Sequence, residues 1–260
     1  MFEFEETSVK IAVSVLSTLL ASATISVFGW LILQTRFNKK FRQAVQHLRI
    51  AEALQKEHQY AQAKEELFKT LSLLNDEQRS LLLCQAHLRL GDISMYLKEW
   101  DEAVRHFVIY REIAKNVRHT TSEDVILLRL GKAYYAAGKP EDALRCFDDA
   151  RRMEEAISNH PLLGETYGRL GEIEASLQHP EIAIGYYSRA LNCHEKIGDR
   201  RTLAATRVCL GDLNSKLTRK DQALSQFSTA REVYNELGDF PLVTMLDDRI
   251  AQLKEARTSA

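Results

Sequence analysis

Glycines recur at Gly91, Gly131, Gly171 and Gly211, forty residues apart, in the contexts LRLGD, LRLGK, GRLGE and VCLGD. One period upstream the chain reads LRIAE, with Ala51 in the glycine's place, and one period downstream DRIAQ, with Ala251. Twelve residues after each small residue stands an alanine (Ala63, Ala103, Ala143, Ala183, Ala223). Four further on comes a large apolar residue (Leu67, Phe107, Phe147, Tyr187, Phe227). Ala150, Ala190 and Ala230 continue the pattern, from which Thr70 and Tyr110 depart. Chance does not hold three columns in register through five periods, so the chain is an array of like units. A small residue on one helix, facing an alanine and a bulky side chain on a second, gives one socket and one knob and lets the two helices approach closely. Neither helix can bury its stripe alone, so such units must stack.

Eleven Gly and four Pro in 260 residues leave little material for the many tight turns of a β-rich fold. The prolines, Pro140, Pro161, Pro180 and Pro241, all fall where a helix should begin, and there the missing N–H costs nothing. Asp101, Glu141, Glu181 and Asp221 follow in first turns, at the positive end of the helix dipole. Gly198-Asp199 and Gly238-Asp239 close one helix and cap the next. The spacing predicts helices over 41–56, 60–74, 78–97, 100–115, 121–137, 140–156, 161–177, 180–196, 200–217, 220–236 and 241–256. The expected domain, 41–256, is all-α: pairs at 41–76, 78–116, 121–157, 161–197 and 200–237, a capping helix at 241–256, and a tail at 257–260.

The front of the chain reads differently. After a tail at 1–10, residues 11–33 run IAVSVLSTLLASATISVFGWLIL without a charge. At a helical rise of 1.5 Å per residue that is about 35 Å, enough for a hydrocarbon core of about 30 Å. Ala21-Ser22-Ala23 resembles a signal-peptide cleavage site, but the acidic start MFEFEETSVK and the apolar run beyond that site favour an uncleaved transmembrane helix. Glu3, Glu5 and Glu6 precede the span, and the juxtamembrane segment 34–46, with Arg36, Lys39, Lys40 and Arg42, follows it and runs into the first repeat helix. Basic residues stay on the cytosolic side, so the N-terminus is expected outside and the repeats in the cytosol. The same cations suit anionic headgroups. Ser14, Thr18, Ser22 and Ser26 form a small polar stripe that permits close contact with a second copy in lipid; an anchor with no such contact is the plainer alternative. Between Gly29 and the turn near Glu57 there is neither Pro nor Gly, so span and first repeat helix read as one rod.

Lys+Arg 35 against Asp+Glu 36 gives a net charge of -1, without the basic surplus that phosphate backbones require, so no nucleic-acid partner is expected. Cys84, Cys146, Cys193 and Cys209 make no CxxC pair, which argues against a disulfide framework or a structural zinc site. Gly131-Lys132 and Gly138-Lys139 lack the spacing and the Ser/Thr of a phosphate loop, and neither HExxH nor GxSxG occurs. The eight histidines are scattered. No enzyme, metal or cofactor is expected.

A Leu-Gly/Ala pair, an alanine twelve residues on and an aromatic four later, on paired helices, resembles the tetratricopeptide repeat superfamily over residues 41–256. The forty-residue period is similar to the longer-helix members of that superfamily in kinesin light chains, rapsyn and Pins-type polarity scaffolds. The resemblance implies an α-solenoid, a right-handed superhelix whose concave groove, lined by the first (A) helix of each pair, holds a peptide or a partner helix. Arg49, Arg89, Arg129 and Arg169 each precede the small residue by two positions, where the family's A helices face the groove. A ladder of guanidinium forks fits an acidic peptide or a C-terminal carboxylate. Local pairing is the alternative, because Glu52, Asp92 and Glu172 stand three residues after three of these arginines, while Arg129 meets Lys132. Met95, Tyr96 and Tyr135 occupy further groove positions of the family and offer apolar anchors, or packing against the next repeat. The family's clamp for chaperone C-termini needs a Lys and an Asn on the first A helix, where this chain has Leu48 and Glu52, so that specificity is not expected. The functional expectation is a membrane-anchored scaffold or adaptor for a protein partner. A receptor for incoming or chaperone-bound proteins on the mitochondrial surface is the alternative. The anchor suits the mitochondrial outer membrane or the endoplasmic reticulum, or the inner membrane of a bacterium.

Overall fold

The computed structural model describes residues 39–74, 80–117 and 123–258. Helix α1 covers 39–56. It is followed by α2 (Tyr60–Leu73), α3 (Ser80–Tyr96), α4 (Trp100–Val117), α5 (Glu123–Ala136), α6 (Pro140–Ile157), α7 (His160–Ser176), α8 (Pro180–Ile197), α9 (Arg200–Lys216), α10 (Lys220–Glu236) and α11 (Phe240–Thr258). The described residues are thus all-α, with helices at the positions that the forty-residue columns predict. The apolar segment 11–33 lies outside the described residues. Among those described, no helix is long and apolar enough to cross a membrane.

Two compact units follow each other along the chain, one ending at Leu97 and one starting at Lys98. In the first, α1, α2 and α3 close on Ala44, Leu48, Ala51, Ala63, Leu67, Leu82, Ala86, Leu90 and Ile93. Thr70, which breaks the alanine column, is fully buried there, and its hydroxyl donates to the Glu66 carbonyl at 3.0 Å. In the second unit each helix packs on the next, α5 on α6, α6 on α7, α7 on α8, α8 on α9, α9 on α10 and α10 on α11. The small-residue column explains the pairing. A Cβ at Gly131 would lie 2.7 Å from Cζ of Phe147, and one at Gly171 would lie 3.1 Å from the Tyr187 ring, so A and B helices sit ring against bare backbone.

The turn between paired helices is itself a column. His58, Lys98, Gly138, Gln178 and Thr218 all have positive φ, between 58° and 73°. After the turns at 58, 138, 178 and 218 the chain reaches back in the same way, as with Lys139 N to Tyr134 O (2.9 Å) and Arg219 N to Asn214 O (2.8 Å), which satisfies the last carbonyls of the A helix. Only Gly138 meets the left-handed backbone without a Cβ. For a residue with a Cβ that conformation costs about 1–2 kcal/mol, most for a β-branched one. Glycine gives back about 0.5–1 kcal/mol through its freer unfolded chain. Thr218→Gly is therefore expected to raise stability by about 1 kcal/mol, and Gly138→Thr to lower it by a similar amount, in urea unfolding.

Candidate functional site

Two of the four arginines in the column, Arg89 and Arg169, are held by acids. Arg89 of α3 reaches back to α1, donating to Glu52 Oε1 at 2.5 Å and to Gln55 Oε1 at 3.1 Å. Arg249 of α11 makes the same reach to Asp212 of α9. Both pairs join residues 37 apart, so the acid that follows one small residue meets the arginine that precedes the next. Between them the register breaks at Lys132, which pairs with Glu165 of α7. With a cation in the preceding slot, Arg169 turns to Glu172 on its own helix at 2.8 Å. Arg49 is exposed and has no partner among the described residues. Arg129 is half-buried and interacts with a neighbour. A second column ties B helices together, with Lys139 on Asp101 at 2.7 Å and Arg219 bidentate on Glu181 at 2.5 and 3.1 Å. Local pairing within one helix thus accounts for Arg169, whereas Arg89 is held by the neighbouring repeat.

Beside Arg89 the first unit opens a recess of about 420 Å³, lined by Glu52, Gln55, Lys56, His58, Tyr60, Arg89 and Tyr96. The rings of Tyr60 and Tyr96 stack with centroids 4.7 Å apart and 8° between planes. His58 Nδ1 and Tyr60 Oη share a hydrogen bond of 2.9 Å, which steadies the inner ring. The outer ring, Tyr96, is 64% exposed. Lys56 is exposed with no ion-pair partner among the described residues. Met95 of α3 and Tyr135 of α5 are each half-buried, and Tyr135 packs on the core cluster around Phe147. Tyr60 and Tyr96, 36 residues apart on different helices, are not paired by any motif in the sequence.

A second polar feature lies inside the stack. Glu154 of α6 is fully buried, with Oε1 accepting from Thr166 Oγ1 of α7 at 3.1 Å and Oε2 without a partner. Burial pushes its carboxyl up to about 7, and the nearby charges of Asp124, Glu165 and Glu155 push the same way. His194, also buried, is held below the ordinary histidine value by desolvation, and its Nδ1 is unpartnered. Burial raises all four thiols, Cys146 to about 11, so none is a thiolate near neutral pH. Among the described residues no group of three metal-ligating side chains comes together.

A family model described as tetratricopeptide repeat matches residues 82–156 and, one period on, residues 122–196. Tetratricopeptide repeats therefore run through the middle of the chain. Among curated proteins none matches. Among solved structures, the nearly identical TPR-like repeats of a putative kinesin light chain from Podosopora anserina superpose with a TM-score of 0.60 at 16% identity, covering 76% of this chain and 97% of that one. YrrB, a TPR protein with an unusual peptide-binding site, gives a TM-score of 0.56 at 15% identity, over 82% of this chain and 97% of that one. Aspartyl phosphate phosphatase F from Bacillus subtilis gives 0.56 at 16% identity over 83% of this chain, which spans 60% of that longer protein. At these identities the likeness is one of fold, an array of stacked helix pairs.

Proposed function

We propose that the chain is an adaptor: residues 11–33 hold it in a membrane, N-terminus outside, and its cytosolic repeats take a peptide or a helix of a protein partner. The observation that carries the binding half is the recess of the first unit. An exposed tyrosine ring at its mouth and the unpaired Lys56 ammonium at its rim fit an acidic segment that also carries a flat or apolar side chain. Arg89 is already held by Glu52 and Gln55, so it shapes the recess while Lys56 supplies the free charge. The 23 uncharged residues and the charge order around them support the anchoring half. The mitochondrial outer membrane and the endoplasmic reticulum remain the proposed compartments, and the location of a fluorescent fusion of residues 1–45 separates them.

Proximity labelling by the full chain, wild type against Tyr96→Ala, tests the recess. Tyr96 is mostly exposed, so its loss leaves the fold intact. The expected result is a several-fold fall in labelling of one set of cytosolic neighbours, with the rest unchanged. An identical labelling pattern in the two proteins removes the recess as the docking point.

A further inference from the structure

Helix α1 exposes a face that the other A helices bury. Arg42, Gln46 and Ala53 are exposed, whereas forty residues on the same columns hold Leu82, Ala86 and Ile93, all buried against the first pair. Further periods place Ile126, Ala133, Thr166 and Ile173 there, again buried. This is the face that meets a preceding repeat, and the repeat pattern starts at α1. At about 100° per residue, Arg42 and Arg49 fall within about 20° of one another, about 10 Å apart along the axis, with Lys39 about 60° from Arg42 on the other side of the same face. All three are exposed and have no ion-pair partner among the described residues. Glu52, on the flank, is taken by Arg89.

A terminal repeat needs a polar outer face for solubility, but solubility is served by mixed signs. Helix α11 at the other end has them, with Asp248, Lys254 and Glu255 all exposed. The face of α1 is basic from Lys39 to Arg49, its acid Glu57 coming only in the turn that ends the helix, and in the sequence it follows the uncharged run 11–33 after five residues. We infer that this basic face lies flat on the headgroups of an anionic bilayer, so that the first repeat is pressed against the membrane rather than projected from it. The inference rests on the anchor reading of residues 11–33. It also replaces the straight rod, which would raise position 53 about 10 Å above position 46 along the membrane normal.

The test uses the full chain reconstituted in vesicles of phosphatidylcholine, with and without phosphatidylserine, and a benzophenone amino acid at Gln46 or at Ala53. Lipid crosslinking is expected at both positions with similar yield in the anionic vesicles. It should fall by about tenfold or more with Arg42→Glu and Arg49→Glu together, as each cation near an anionic surface adds to the attraction. Arg42→Lys with Arg49→Lys should keep it. Crosslinking at 46 but not 53, indifferent to lipid charge, gives the rod and overturns the inference. Flotation of the same samples in high salt reports the anchor separately: a chain that floats without crosslinking refutes only the basic face, and one that does not float refutes both.

Discussion

Gly211→Val is expected to lower the unfolding free energy by about 3 kcal/mol, the upper end for overpacking a filled core. A Cβ built at Gly211 overlaps Cε1 of Phe227 and lies 2.6 Å from Cδ1 of the same ring. These are ring atoms, so relief requires the whole ring to move. Phe227 is buried, and the Arg249 guanidinium stands 5.7 Å from the ring centre, itself held by Asp212. Gly211→Ala brings the same overlap but regains about 1 kcal/mol of helix propensity, for a net loss of about 2 kcal/mol. The chain holds its own control, because in the first repeat the two columns are Ala51 and Leu67, both buried: a larger socket residue beside a smaller knob. Gly211→Ala with Phe227→Leu should therefore cost less than the two single changes added, by about 1 kcal/mol, in urea unfolding of all four proteins. Strict additivity would mean that the two columns do not pack as complements.

That complementarity is also why the helices were legible in the sequence. Gly131 and Phe147, or Gly171 and Tyr187, sit at one fixed separation in chain and in space, so a spacing count finds the pairing before any coordinates. The arginines were half legible. Their column was plain, but the partner of Arg89 is not Asp92 three residues on; it is Glu52, 37 residues back, and that reach exists only once neighbouring repeats lie side by side. The same offset returns at Arg249 and Asp212 and fails where position 132 is a lysine, which no rule about a single helix contains. Of the recess's aromatic pair the sequence showed only Tyr96 as a groove position; Tyr60 stayed hidden because it lies on a different helix and meets Tyr96 only ring on ring. Glu154 was hidden for another reason. An acid in a B helix rich in charge looks like surface, and only its column mates Leu74, Ala114, His194 and Tyr234 mark the position as inward.

The buried carboxyl of Glu154 gives the second large effect, a loss of stability as pH rises. Its folded-state value of about 7 stands above the 4.5 of an ordinary glutamate, so between those limits the folded chain binds more protons than the unfolded one. Stability from this group is complete below pH 4.5 and declines as pH climbs through 7, by roughly 3 kcal/mol in all. His194 acts in the opposite sense: held neutral below its usual value, it withdraws stability as pH falls through and below the ordinary histidine range. Measurement from about pH 6.5 upward, the ordinary histidine value, therefore isolates the glutamate. Over about pH 6.5 to 8 the wild type should lose stability, while Glu154→Gln, whose amide oxygen still accepts from Thr166, should stay nearly level and be the more stable protein at the upper limit. The cause is local, since burial leaves Oε2 without a partner and the charges of Asp124 on α5 and Glu165 on α7 add to it. Hydrogen exchange should accordingly quicken first in α6 and α7 as pH is raised, and only in the protein that keeps the carboxyl. A wild type whose stability is level across that range would mean that the Glu154 carboxyl already ionises within the stack at little cost.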